Sequence, residues 1–286
     1  MRTVTTRAEL EQTLAQLPRP VALVPTMGAL HAGHAALIAA ARRTAATVVV
    51  SIFVNPRQFG SAADVARYPR TLEADQQLAE ATGADLLFAP SVDEIYPPNE
   101  PLANVEPGPL ASRLEGASRP GHFTGVATVV SRLFDLVHPD QALFGAKDAQ
   151  QVRVIEWMAA ERSDHIVIHR VATVRDADGL ALSSRNQLLS AAGRAAAAQS
   201  IPVALSLIAE AYASGVTSVA MLRALAERVI ATEPSLSLDY LDFAESATLV
   251  PLAEEAQVGD AASGEVLVSL AAVVDDVRLI DAITLP

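Results

Sequence analysis

The run Val21-Ala-Leu-Val-Pro25-Thr-Met-Gly28-Ala-Leu-His31-Ala-Gly-His34-Ala-Ala-Leu37-Ile38-Ala-Ala-Ala41 does most to limit the folds open to this chain. Residues 21–24 are apolar without alternation, which suits a strand buried on both faces. Pro25 and Gly28 punctuate its end. Helical sequence then begins near Gly33. A strand, a tight turn and a helix start bring free backbone N–H groups and the positive end of a helix dipole together, a natural seat for phosphate. The imidazoles of His31 and His34 add donors to the same anion. A single histidine near a turn is usually a surface residue. Two that bracket a glycine at a strand-to-helix turn favour function.

The rest of the chain repeats that alternation. Leu10, Leu14 and Leu17 have helical spacing, ended by Pro18 and Pro20. Continuous apolar runs at 47–54, 85–89, 141–144 and 165–168 read as buried strands. Helical patterns at 71–82, 125–137 and 149–160 separate them, and the Pro- and Gly-bearing segment 94–125 reads as loops and short elements. This predicts an α/β fold, a Rossmann-like doubly wound parallel sheet. After about residue 171 the pattern changes to helices at 191–213 and 218–231, then strands at 238–243, 264–270 and 277–280. A smaller C-terminal α+β domain is expected, with domains at 1–172 and 173–286.

Composition narrows the function classes. The 286 residues are 51% hydrophobic, enough for a large core. With no cysteine, thiol and disulfide chemistry is excluded, and a cytoplasmic location is the default. The first nine residues lack the apolar centre of a leader peptide, and no apolar stretch reads as a membrane span. A net charge of −12 argues against general nucleic-acid binding, and 4% aromatics against stacked-base recognition. A phosphate-binding P-loop and a Gly-x-Ser-x-Gly elbow are both missing. His165 and His169 straddle a strand and carry no metal role.

Ligands of open parallel sheets sit at the carboxyl ends of the strands. Three polar stretches fall there: 27–34, 55–58 and 145–151. From six residues alone, Asn55-Pro-Arg-Gln58-Phe-Gly60 reads as a turn. Gly145-Ala-Lys147-Asp148-Ala-Gln-Gln151 reads as a helix entrance with Asp148 as its cap. Val174-Arg-Asp-Ala-Asp-Gly-Leu-Ala-Leu182-Ser183-Ser184-Arg185-Asn186 reads as an exposed hairpin loop.

Taken together and in order, these strings resemble those of the pantothenate synthetase family. That family lies within the nucleotidyltransferase superfamily, which shares His-x-Gly-His with class I aminoacyl-tRNA synthetases. The resemblance runs from Pro25 to about Asn186, and more loosely through Leu238-Asp-Tyr-Leu-Asp-Phe243 and Arg278-Leu-Ile-Asp281. It implies ATP-dependent joining of (R)-pantoate to β-alanine through a pantoyl adenylate, with release of AMP and pyrophosphate. ATP is then bound by Met27, Gly28, Ala29, Leu30, His31, Ala32, Gly33 and His34, by Gly145, Ala146, Lys147 and Asp148, and by Val174, Leu182, Ser183, Ser184 and Arg185. Gln58 and Gln151 bind pantoate, since a carboxamide holds a hydroxyl and a carboxylate without adding charge. His34, His31, Lys147 and Arg185 are the catalytic set. His34 stabilises or protonates the α-phosphate, while Lys147, Arg185 and the serines receive pyrophosphate with Mg²⁺.

The resemblance further implies a homodimer, a nucleotide- and pantoate-binding first domain and a C-terminal lid. Asp75 of Arg67-Tyr-Pro-Arg-Thr71-Leu-Glu-Ala-Asp75 stays open between a Mg²⁺ ligand, a seat for the β-alanine ammonium and a solvated acid. Arg119-Pro-Gly-His122-Phe-Thr-Gly125 reads as a loop over the site, with His122 open between a core or capping role and catalysis. Leu182 replaces the family's Met. Ala32 and Ala35 stand where larger or polar residues are common, and Asp275-Asp276-Val277 replaces a Gly-Lys-Thr-like turn. Two alternatives stand beside this reading: adenylyl transfer to another small acceptor such as a phosphate ester, and a non-catalytic adenylate sensor.

Overall fold

The computed structural model describes residues 1–100, 103–262 and 264–286. In chain order the elements are β1 (Arg2–Val4), α1 (Arg7–Leu14), β2 (Val21–Thr26), α2 (Ala32–Thr44), β3 (Thr47–Ile52), α3 (Ala62–Arg67), α4 (Leu72–Thr82), β4 (Leu86–Phe88), α5 (Val92–Ile95), α6 (Glu115–Ser118), α7 (His122–Val137), β5 (Gln141–Gly145), α8 (Ala149–Ala160), β6 (Val167–Val171), α9 (Ala191–Ala213), α10 (Val219–Ala231), β7 (Ser237–Glu245), β8 (Val266–Val274) and β9 (Val277–Leu285). They form two compact units. One comprises Met1–Ala111, Arg119–Ala146 and Gln151–Val174; the other comprises Ser112–Ser118, Lys147–Gln150 and Arg175–Pro286.

The first unit holds a six-stranded sheet of order β1-β4-β3-β2-β5-β6, in which every pairing is parallel. Alternate residues of each strand point to opposite faces. Val21 and Leu23 pack with Phe88, Phe134, Phe144 and Ile155 on one face. Ala22 and Val24 pack with Ile38, Ala41, Val50 and Ala79 on the other. Both faces are therefore covered, as the unbroken apolar runs require. Pro25 does not end its strand: β2 continues to Thr26, with Pro25 opposite Ser51 of β3.

Two expectations for this unit shift. His165 has a φ of 53°, so the extended run starts only at Val167 and continues to Val171. The helix expected from Gly125 begins earlier, at His122, directly after Gly121 at a φ of 82°. The edge strand β1, of 3 residues, and helix α3, of 6 residues with none buried, are too short to announce themselves. Pro101 and Leu102, within the segment read as loop, lie outside the described residues.

The second unit packs α9 and α10 with an antiparallel sheet of order β7-β8-β9. By length and composition, α9 is apolar enough to cross a membrane. Its residues Ile201, Leu205 and Ile208 are instead buried in this unit's core beside Phe243 and Val268. Asp275 and Asp276 make the β8–β9 turn with φ of 53° and 57°. The Asp275 carboxylate also accepts a 2.8 Å bond from the backbone N–H of Ser190, the N-cap of α9. The departure from a Gly-Lys-Thr-like turn thus supplies a carboxylate where a helix begins.

Candidate active site

The turn after β2 is built from its own backbone. Thr26 Oγ1 donates to Ser51 O at 2.7 Å and accepts from Gly28 N at 3.2 Å. Gly28 and Ala29 follow with φ of 85° and 50°. A Cβ on Gly28 would sit 3.0 Å from Ile52 and 3.1 Å from the Asp75 carboxylate, so the bend requires glycine both for its sign and for its space.

The two histidines cap α2. Gly33 N donates to His31 Nδ1 at 3.1 Å, and His31 N donates to His34 Nδ1 at 3.2 Å. An Nδ1 that accepts a hydrogen bond leaves the ring proton on Nε2. Each ring therefore carries its N–H at Nε2, and the ring centroids lie 4.1 Å apart. A proton on either Nδ1 would turn a donor onto a donor.

Asp75 is not the solvated acid that one of the three readings made it. It is buried at 2% exposure, and its carboxylate accepts from Ala29 N at 3.0 Å, Leu30 N at 2.7 Å and Thr71 Oγ1 at 3.0 Å. The expectation of free amides at this turn fails for Ala29 and Leu30 for the same reason. No group of three or more His, Cys, Asp or Glu that could hold a metal ion occurs among the described residues.

After β3, Asn55 caps a single 3-10 turn, Pro56–Gln58. Its amide donates to Gln58 Oε1 at 2.9 Å and to Gly125 O at 3.0 Å, and Tyr96 OH donates to Asn55 Oδ1 at 2.8 Å. Burial pushes the Tyr96 phenol up, so it remains a donor. Gln58 Nε2 points to Met27 Sδ at 3.2 Å, which places the carboxamide beside the histidine turn. Behind it, His122 Nδ1 lies 2.9 Å from Gln58 O, and Arg119 Nη2 donates to the same oxygen at 3.2 Å. His122 and Arg119 thus hold the backbone of Gln58, and His122 does so from the first turn of α7 rather than from a covering loop. Gln151 lies in the first turn of α8 in the same unit.

Of the remaining candidates, Lys147, Asp148, Leu182, Ser183, Ser184 and Arg185 belong to the second unit, and Gly145, Ala146 and Val174 to the first. Lys147 lies in the field of Asp148, Asp281, Arg185 and Arg175. Burial holds its ammonium below the usual lysine value; the two acids oppose that shift and the two arginines add to it. Arg175 is bidentate to Asp281, at 2.5 and 2.9 Å, and Asp281 is 1% exposed. Three cations against two carboxylates leave this cluster attractive to phosphate. Ser183 caps the 3-10 turn Ser184–Leu188, accepting from Arg185 N at 3.3 Å. An antiparallel bridge, Arg175 to Ala181, closes the hairpin below it, and Leu182 follows the bridge directly. Gly145 ends β5, Ala146 opens the next turn, and Val174 ends the first unit.

A family model described as pantoate-beta-alanine ligase matches residues 2–284. The chain belongs to that family. The pantothenate synthetase of Corynebacterium glutamicum is 47% identical over 288 residues, covering 100% of both chains. The crystal structure of pantothenate synthetase from Thermus thermophilus matches with a TM-score of 0.89 at 45% identity, covering 99% of each chain. That of pantoate-beta-alanine ligase from Francisella tularensis, complexed with beta-gamma ATP and beta-alanine, matches with a TM-score of 0.80 at 32% identity, covering 99% of this chain and 97% of that one.

For a pantoate-beta-alanine ligase, sequence reasoning assigned no role to Tyr96, Thr26, Arg175 or Asp281. Only Asp281 carried a signal, an acid at an inward position of the strand Val277-Arg-Leu-Ile-Asp281.

Proposed function

We propose that this member of the pantoate-beta-alanine ligase family, an ATP-dependent ligase, joins pantoate to β-alanine through a pantoyl adenylate. A pantoate carboxylate oxygen attacks the α-phosphorus, and pyrophosphate leaves. The β-alanine amine then attacks the acyl carbon, AMP leaves with the bond's electron pair, and the nitrogen loses a proton to give the amide. The Nε2–H groups of His34 and His31 stabilise charge on the α-phosphate as it forms. Lys147, Arg185, Ser183 and Ser184 receive the pyrophosphate, and Asp148 lies toward the nucleoside. Gln58 offers its Nε2–H to pantoate, because its Oε1 is already engaged by Asn55. Gln151 completes the acid's hydrogen bonding.

Mg²⁺ bound with ATP would neutralise charge on the leaving pyrophosphate, beside Lys147, Arg185, Ser183 and Ser184, which would receive that group. The reading includes a homodimer, which the family resemblance supports and sedimentation velocity checks.

The observation that carries this reading is the pair of capping imidazoles at the carboxyl end of β2, with the Gln58 carboxamide turned toward the same bend. Exchange of labelled pyrophosphate into ATP tests it. Exchange is expected to require pantoate but not β-alanine, and pantothenate to form only with both. Exchange without pantoate, or a preference for a phosphate-ester acceptor, would overturn it.

A further inference from the structure

We infer that Asp75 is the positioning residue for the histidine pair, a built-in anion seated in the backbone nest that a phosphate would otherwise occupy. Two successive left-handed residues, Gly28 and Ala29, turn neighbouring N–H groups inward to one point. Such concavities bind anions. Here the anion comes from the first turn of α4. Asp75 Oδ2 takes the amide of Ala29, Oδ1 takes that of Leu30, and Thr71 Oγ1 steadies Oδ1 from below. The amide of Gly28 goes to Thr26. The next amide along the chain, that of His31, is the one that fixes Nδ1 of His34.

Two consequences follow. The carboxylate sets the peptide planes that lead into His31, and so sets the direction in which both Nε2–H donors point. It also closes the nest to ATP. A phosphate there would meet a carboxylate instead of amides, so the α-phosphate is left to the two imidazoles. The turn thus resembles a phosphate loop in backbone shape but carries its own counter-charge. This inference rests on the proposed adenylation only for its kinetic arm; its spectroscopic arm stands apart from any activity.

The test uses the full-length enzyme with Asp75→Ala and Asp75→Asn. Long-range ¹H–¹⁵N imidazole spectra read the ring tautomers directly, and pantoate-dependent ATP–pyrophosphate exchange reads the rate, each with and without added formate. For Asp75→Ala the expected result is mixed or exchanging tautomers at His31 and His34. Its kcat should fall about 100-fold, with a much smaller change in the KM for ATP, as for a misplaced catalytic group. Formate should refill the nest and restore both signals saturably, while leaving the wild-type enzyme unchanged. A purely structural loss would not recover on adding a small carboxylate.

Wild-type tautomers in Asp75→Ala, or a loss that formate leaves untouched, would overturn the inference. Should Asp75→Ala not fold, Asp75→Asn decides. It keeps the shape but faces one amide with an NH₂, so a kcat loss of roughly 10-fold with altered His34 signals is expected; wild-type values for both would overturn the inference. If the wild-type enzyme shows no pantoate-dependent exchange, the proposed adenylation fails while the ring spectra still judge Asp75.

Discussion

At the scale of single residues, the site assigns direction to groups that are ambiguous in a sequence. The Gln58 carboxamide has two ends, and Asn55 occupies one of them. Gln58→Ala should remove a donor worth about 2 kcal/mol, a rise of roughly 30-fold in the KM for pantoate. ATP affinity, measured by calorimetry, should change little. Lys147 gives the pH dependence. Its burial favours the neutral amine, so it loses its proton at a lower pH than an ordinary lysine. Only the ammonium pairs with phosphate, so kcat/KM for ATP should fall on the alkaline side before pH 10.5 is reached. Lys147→Arg, charged throughout, should move that limb upward. The stability sign is the opposite one. Between the lowered folded value and 10.5 the unfolded chain binds more protons, so the ligand-free fold gains stability as pH rises through that window. Thermal melts across the alkaline range check this.

At the scale of elements, one close approach fixes the turn that carries Gln58. A Cβ on Gly125 of α7 would lie 2.4 Å from Arg57 O, 2.6 Å from Arg57 C and 2.8 Å from Gln58 N. All three are backbone atoms, so nothing can swing aside. Gly125→Ala should cost about 1–3 kcal/mol in denaturant unfolding and also raise the KM for pantoate, because the helix must withdraw from the turn that holds Gln58. The sequence marks Gly125 as the start of a helical pattern, and the motif Arg119-Pro-Gly-His122-Phe-Thr-Gly125 as a unit. It does not reveal that the glycine is a contact. The parallel sheet was legible because β2 and β3 are buried on both faces and so write themselves as unbroken apolar runs. β6 was placed too early, by two residues at its start and three at its end, because it is a partly exposed edge strand. The role of Asp75 was illegible for a different reason: an acid in the first turn of a helix looks solvated until the amides of a loop 45 residues away are known to face it.

At the scale of the whole molecule, the path of the chain matters more than the sum of its elements. It passes between the two compact units after Ala111, Ser118, Ala146, Gln150 and Val174. The second unit is therefore the C-terminal domain completed by two parts from earlier in the sequence. One of them, 112–118, brings Glu115, which is 6% exposed. Arg278 Nη1 grips both Glu115 oxygens, at 2.6 and 2.8 Å, and its Nη2 holds Asp239 at 2.6 Å. Tyr240 OH adds a bond to Glu115 at 3.2 Å. The other part brings Gln150, whose Nε2 bonds Arg113 O at 2.7 Å. Breaking a buried pair by removing one partner costs about 3–5 kcal/mol, a large share of the roughly 5–15 kcal/mol that holds a typical domain. A fragment cut at Val174 retains α9, α10 and all three antiparallel strands, yet it leaves Arg278 and Tyr240 without Glu115. Such a fragment should show helical far-UV dichroism but no cooperative thermal transition and no near-UV signal. Full-length Arg278→Ala should lower the denaturation midpoint by an amount matching the lost pair. A fragment 175–286 that melts sharply would mean that the carboxylate from 112–118 is ornamental to the fold of this unit. A broad, non-cooperative melt would mean that the unit is completed by a strap from the middle of the chain.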